Sequence, residues 1–362
     1  MARLKGRLRF RSLSRFVAMF LIGLGLCAVL AACNSSSVPN SSASSNAAPQ
    51  AQSVNLTLVS YAVTQAAYEQ IIPKFVTQWK AEHNQEVVFD QSYGGSGSQT
   101  RAVIDGLEAD VVALALAGDV DKINKAGLIA DGWEQKANNN AIVTQSVVAL
   151  VTREGNPKGI QSWTDLTKDG IQVITANPKT SGGARWNFLA LWGAVSLKDS
   201  NEAKALDYTT QVFKNVPVLP KDAREATDVF FKQGQGDVLL NYENEVLLAK
   251  QRGENLPFVI PTDVNVSIDA PVAVVDQNVD RHGTRQVAEA FVNYLFTPEA
   301  QEEFAKVGFR PVDATVAEKY AKDYPKVERL LTVKDFGGWS QVQDKFFEDG
   351  TVFDQIQEKA KA

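Results

Sequence analysis

The 362-residue chain is short of nearly everything that reactive sites are usually built from. It has two cysteines, Cys27 and Cys33, both near the N-terminus, and nothing of that kind in the 329 residues that follow. A disulfide framework and a cysteine metal site are therefore excluded for the body of the chain. It has two histidines. His83 lies in a polar stretch at a helix end and His282 in the turn Asp280-Arg281-His282-Gly283, both read as surface residues, and H-E-x-x-H is absent. No zinc ligand set is left. Acid is missing from the first 68 residues, the first acidic side chain being Glu69. Beyond residue 32 there is no long uncharged apolar run. A strongly basic balance is also missing: 37 Lys plus Arg face 42 Asp plus Glu, a formal net charge of −5, which gives no footprint for a nucleic-acid partner. Apolar residues at 44% and charged residues at 22% are ordinary for a folded protein and exclude wholesale disorder.

What is present begins with an address. Arg3, Lys5, Arg7, Arg9, Arg11 and Arg15 precede 17 uncharged residues, Phe16–Ala32. A basic start, an apolar run and small residues at its end make a secretory signal, residues 1–32. The run closes Leu30-Ala31-Ala32-Cys33, which resembles the lipobox of bacterial lipoproteins. Cys33 is thus expected to be the lipidated first residue of the mature chain. Residues 34–53 hold eight Ser, two Pro and no charge, a composition that cannot bury enough surface to fold. Residues 33–53 are expected to be a flexible tether. Removal of the leader takes six basic residues and no acidic ones, so the mature chain carries about −11.

From residue 54 the pattern alternates. Val54, Leu56 and Leu58 read as a half-buried strand, and Ala67, Ile71, Phe75 and Trp79 as one helix face. Strand-like segments recur at 86–91, 110–116, 171–176, 216–219 and 237–241. Helices are expected at 98–107, 184–196, 202–214, 223–234 and 243–252, and a mainly helical stretch from 284. The alternation implies α/β architecture with mostly parallel sheets. Ligands then bind beyond the carboxyl ends of strands, where helix N-termini point. Five strand-to-helix loops have unusual chemistry: 60–64 (SYAVT), 93–98 (YGGSGS), 180–185 (TSGGAR), 220–224 (PKDAR) and 241–243 (NYE). Gly and Ser there suit an anion-binding concavity, and equally suit tight turns and helix caps. Neither Gly/Ser loop matches a nucleotide-phosphate motif. Ser96 lacks the last Gly of G-x-S-x-G and has no evident histidine base, so a hydrolase is the weaker reading.

Three blocks narrow this further: Ser92-Tyr93-Gly94-Gly95-Ser96-Gly97, Glu108–Leu116 (EADVVALAL) and Asn177–Asn187 (NPKTSGGARWN). Together with residues 236–240 (GDVLL), Glu243-Asn244-Glu245 and Phe336-Gly337-Gly338-Trp339, they closely resemble the periplasmic sulfate-binding proteins of bacterial ABC importers. The resemblance spans residues 54–360. It implies a type II periplasmic-binding-protein fold: two α/β lobes around a ligand cleft, joined by hinge strands. The expected partition is 54–140 plus 262–335 for one lobe and 141–261 plus 336–360 for the other.

It also implies a site of neutral donors: the backbone N–H groups of Ala62, Ser96, Gly182, Gly183 and Ala223 with the Ser181 hydroxyl. A tryptophan normally completes the set, and Tyr242 stands at its position; a phenol O–H also donates. The family usually carries Asp where Ala62 stands, but only the backbone is required there. No cofactor, metal or catalytic residue is implied. The expected partners are sulfate and the ABC permease subunits of the inner membrane, for a monomer in the periplasm. Thiosulfate, molybdate and phosphate are the alternative anions, and a sulfate- or phosphate-ester hydrolase the remaining alternative.

Overall fold

Strand β1 (Ser53–Tyr61) alternates until its second half, where Leu58, Val59 and Ser60 are all fully buried. A strand covered on both faces must lie inside a sheet with helices on either side. The computed structural model describes residues 53–361 except 200, 255 and 256, and for 197–199 the backbone alone. The signal at 1–32, Cys33 and the tether up to residue 52 lie outside the described residues.

β1 is flanked in parallel by β2 (Glu86–Gly94) and β3 (Val111–Ala113), with Tyr61 level with Gly94 and Ser60 level with Ala113. β4 (Ile142–Ser146) leads directly into β5 (Val148–Thr152), yet the two belong to different sheets. Strands β6 (Val173–Ile174), β7 (Val238–Tyr242) and β8 (Phe258–Val259) join β5 in a four-stranded sheet of order β6-β7-β5-β8. The chain then passes β9 (Asn265–Val266) and returns through β10 (Ile268–Val274). With β11 (Arg310–Pro311) this completes a six-stranded sheet of order β11-β4-β10-β3-β1-β2. β12 (Leu330–Leu331) pairs only with β9.

The expectation of mostly parallel sheets is corrected. β10 runs antiparallel to both β3 and β4, β4 to β11, and β5 to both β7 and β8. The parallel pair β1·β2 is joined through α1, as a parallel pair requires a crossover. Residues 216–219, expected as a strand, form no ladder. Pro217 and Pro220 offer no N–H there; Val216 N–H turns back to Phe213 O (3.1 Å), and the flanking residues are tied by Val173 N–H to Asn215 O (2.7 Å) and Asn177 N–H to Pro220 O (2.8 Å).

Helix α1 (Gln65–His83) buries the expected face, Ala67, Ile71, Phe75 and Trp79, against the large sheet. Phe75 sits among Phe89, Phe291 and Tyr294 with centroids 5.1–6.1 Å apart. α2 (Ser96–Ile104) and α3 (Ala117–Lys125) follow β2 and β3. α4 (Gly182–Asp199), α5 (Glu202–Lys214), α6 (Ala223–Phe231) and α7 (Glu243–Gln251) surround the smaller sheet. Phe188 of α4 packs with Phe213, Phe346 and Phe353, closing the C-terminal segment onto α4 and α5.

Candidate functional site

The loops singled out in the sequence all start helices or helical turns, all but 220–224 after a strand, and close packing draws them together. A Cβ added at Gly95 would stand 2.6 Å from the Thr180 carbonyl oxygen and 3.1 Å from that of Lys221, so three loops meet there. One at Gly182 would lie 2.7 Å from the Ala115 Cβ and 3.1 Å from the Ser96 Cβ. One at Gly183 would lie 2.5 Å from Tyr242 Cε2 and 2.7 Å from its hydroxyl oxygen. Real Cβ contacts do not come so close, so only glycine permits this convergence. Tyr61 and Tyr242 stand with ring centroids 6.0 Å apart, and the turn Ala62–Thr64 packs against α6.

Each expected donor has a local reason to be free. At the first turn of a helix the leading N–H groups have no intrahelical acceptor. Gly97 N–H is taken by Thr180 O (3.1 Å), and Ser98 and Gln99 N–H by Gly95 O (2.9 Å each), which leaves the Ser96 N–H at the head of α2. The Ser96 hydroxyl is already committed: it accepts from Ala115 N–H (3.1 Å) and donates to Asp119 Oδ2 (2.7 Å). Ser181 precedes α4 and its Oγ accepts from Ala184 N–H (3.3 Å), so its own hydrogen remains to be given. Gly182 and Gly183 supply the first N–H groups of α4, and Ala223 that of α6. Ala62, half-buried, opens the turn after β1.

Tyr242 differs from the rest. It is 2% exposed, and its hydroxyl has no hydrogen-bond partner in the protein. Burial, aided by the neighbouring Tyr61 phenol and the Glu245 carboxylate, pushes that phenol well above its ordinary value. It stays protonated at any physiological pH and can only be a neutral donor or acceptor.

The carboxylates around the loops are all occupied. Asp222 caps α6 through Glu225 N–H (2.9 Å). Glu243 is held by Arg310 through two bonds of 2.6 and 3.0 Å, and Glu245 by Arg224 through two of 2.9 and 2.8 Å. Burial raises both glutamates, and their arginines oppose it. Asp119, fully buried, meets Arg185 Nη1 at 2.9 Å. Three helix N-termini thus meet, and each nearby acid is already hydrogen-bonded, Asp119, Glu243 and Glu245 to arginines and Asp222 to the α6 backbone. Such an arrangement holds an anion that needs only acceptors satisfied.

The sequence singled out neither Asp119 nor a role for Arg185. Asp119 sits in AGDVDK, which reads as a solvated helix face, and only tertiary packing buries it. His282, expected at the surface, is half-buried at the end of the helix Asp276–His282 and bonds Asp110 (2.8 Å), away from these loops. Its turn carries Gly283, but the buried Asp110 draws the ring inward. Among the described residues no three His, Cys, Asp or Glu side chains are placed to hold a metal.

Comparison with known proteins agrees with this geometry. Residues 56–310 match the family described as bacterial extracellular solute-binding protein. The chain is 64% identical over 308 residues to a sulfate-binding protein of Synechococcus elongatus, covering 85% of this chain and 87% of that one. It is 58% identical over 340 residues to a sulfate-binding protein of Synechocystis sp., covering 94% and 95%. Among solved structures, the sulfate-binding protein SubI from Mycobacterium tuberculosis superposes with a TM-score of 0.75 at 38% identity, over 82% of this chain and 100% of that one. The chain therefore belongs to the bacterial extracellular solute-binding protein family, has the type II periplasmic-binding-protein fold, and stands in the branch that contains the sulfate-binding proteins of Synechococcus and Synechocystis.

Proposed function

We propose that this receptor captures sulfate outside the cytoplasm and delivers it to an ABC-type permease; it is not an enzyme. The observation that carries the reading is the convergence of α2, α4 and α6 at their N-termini around donors that bear no charge. The sulfate oxygens would be met by the N–H groups of Ala62, Ser96, Gly182, Gly183 and Ala223 and by the hydroxyls of Ser181 and Tyr242.

The same geometry supports discrimination. Sulfate is fully ionised at neutral pH and only accepts hydrogen bonds, whereas phosphate keeps a proton and needs an acceptor. The two acids nearest the loops in sequence, Asp222 and Glu243, are spent on the cap of α6 and on Arg310. A buried P–OH without a partner costs about 1–3 kcal/mol, which is roughly 5- to 150-fold in affinity.

The lobe division 54–140 plus 262–335 and 141–261 plus 336–360 is part of this proposal. The chain changes sheet at Val147, so β4 (Ile142–Ser146) stays with the six-stranded sheet and the first boundary shifts from 140/141 to Val147; it changes again between β8 and β10. Ala62 and Ser96 then belong to one lobe and Ser181, Gly182, Gly183, Ala223 and Tyr242 to the other. An anion shared between them favours the closed state by hinge closure, for which periplasmic binding proteins are a standard example. Acylation of Cys33 would tether the monomeric receptor to a membrane. Metabolic labelling with a radioactive or clickable fatty acid would be retained by the parental chain and lost in Cys33→Ala. Binding is tested by titrating the purified body with sulfate, thiosulfate, molybdate and phosphate, and a phosphate preference would refute the proposed selectivity.

A further inference from the structure

The loop that carries Ser181, Gly182 and Gly183 is tied from several directions. On its inner side Asn177 N–H donates to Pro220 O (2.8 Å) and Thr180 Oγ1 to Lys221 O (2.6 Å). Asn177 O accepts from Thr180 and Ser181 N–H (3.1 and 2.8 Å), and its Oδ1 from Lys179 N–H (2.9 Å). On the outer side Arg185 Nε donates to Pro178 O (2.9 Å) and Arg101 Nη1 to Lys179 O (3.4 Å), and one loop side chain reaches far along the sequence. The Lys179 ammonium reaches residues 347–354, about 170 positions later in the chain. It donates to Phe347 O and Glu348 O, each at 3.1 Å, and to Asp354 Oδ2 at 3.0 Å, with Asp349 Oδ1 at 3.4 Å.

An ammonium has three donors, and two carbonyls with one carboxylate use all of them. Asp354 is itself fixed by Gly350 N–H (2.7 Å). The C-terminal helix Val352–Lys361 is anchored by Phe353 against Phe213, with centroids 5.5 Å apart. A second cation grips the same turn: Arg185, at the head of α4, lies over the Phe347 ring at 5.4 Å while its Nε donates to Pro178 O (2.9 Å).

We infer that Lys179 is a positioning residue for the anion site, clamping the donor loop Asn177–Gly183 to the C-terminal turn 347–354. The inference rests on the sulfate reading above. Lys179 lies in the loop but all four contacts of its ammonium leave it, so losing them uncouples the loop from the turn 347–354 while the inner ties and the Arg185 bond to Pro178 O remain. The head of α4 would then no longer be held with its two N–H groups converged on the anion. Such a loss acts on release more than on encounter. A merely structural surface ion pair would change stability slightly and binding not at all.

The test uses the full chain, with sulfate binding read by calorimetry and by stopped-flow fluorescence, and melting read without sulfate. Lys179→Met should weaken sulfate binding roughly tenfold, almost entirely through faster release. Its on-rate should stay within about threefold of the parental one. Lys179→Arg, which keeps a multidentate cation, should recover most of the loss. Asp354→Asn, which leaves the two carbonyl bonds, should weaken binding by a smaller factor in the same direction and serves if the methionine variant folds poorly. Unchanged release in folded Lys179→Met or Asp354→Asn would overturn the inference alone. So would affinity lost only in proportion to the fraction unfolded, or arginine failing to rescue. A parental chain that binds no sulfate would overturn the functional reading and this inference with it.

Discussion

Tyr242→Phe removes one oxygen from the site and changes almost nothing else. The hydroxyl is buried and has no partner in the protein, so the unliganded state loses no bond. Removing an orphaned buried hydroxyl relieves its desolvation cost, so the empty protein should melt at the same temperature or higher. The sulfate complex behaves oppositely. There the phenol would donate to a dianion, and a hydrogen bond to a charged group is worth about 1.5–3 kcal/mol. That is roughly a 10- to 150-fold loss in affinity. The same loss must reappear in the melts. Ligand at about 1,000 times its Kd stabilises by about 4.1 kcal/mol, and the variant at the same sulfate concentration should lose about 1.5–3 kcal/mol of that stabilisation. The assay is calorimetric titration with sulfate, paired with melting with and without sulfate. Unchanged sulfate affinity would refute the donor role of Tyr242. A fall of several degrees in the melting temperature of the empty variant would show that the hydroxyl has a structural partner.

Gly183→Ala should fail for a steric reason. Its Cβ meets Tyr242 Cε2 at 2.5 Å, so either the phenol or the head of α4 must move; overpacking of this kind costs about 1–3 kcal/mol, and sulfate affinity measured by calorimetry should fall by at least about tenfold. Asp119→Asn leaves Arg185, 3% exposed, without its counter-ion. Loss of one partner of a buried pair costs about 3–5 kcal/mol in urea unfolding, and a cost below about 1 kcal/mol would mean that the pair is hydrated. Sulfate affinity should be flat from about pH 6 to 9, because no donor in the site titrates there. Among them only Tyr242 has an ionisable proton, and burial pushes its phenol up, away from that window. An inflection near pH 6.5 in the affinity profile would implicate a histidine instead.

Much of this was legible because local chemistry and tertiary placement agree. The four-residue recurrence Ala67-Ile71-Phe75-Trp79 forms the buried face of α1, and helix 202–214 has the expected bounds. Gly182 and Gly183 stood out as glycines at a strand-to-helix junction, and the close approach of Ala115 and Tyr242 gives the reason for them. What stayed hidden depends on parts of the chain distant in sequence. Nothing in residues 142–152 says that the chain leaves one sheet at Val147 and enters another, since β4 and β5 follow each other in one strand-like run with no turn residue between them. The strand direction of β10 is set by the return from the smaller sheet. The apolar residues of 216–219 suggested a strand, but the two prolines remove the donors a ladder needs. The Asp119–Arg185 pair spans 66 positions, and the Lys179 clamp about 170.

The −5 of the whole chain also conceals the physical problem. Without its leader the receptor is near −11, which repels a dianion at long range except where salt screens it. Capture must then come from oriented neutral dipoles at short range. Calorimetric titration of residues 53–362 with sulfate and with phosphate in the same buffer near pH 7 tests this most directly. The predicted result is tight, one-to-one sulfate binding with phosphate weaker by roughly 5- to 150-fold. Equal or tighter phosphate binding, or no saturable sulfate binding, would contradict it.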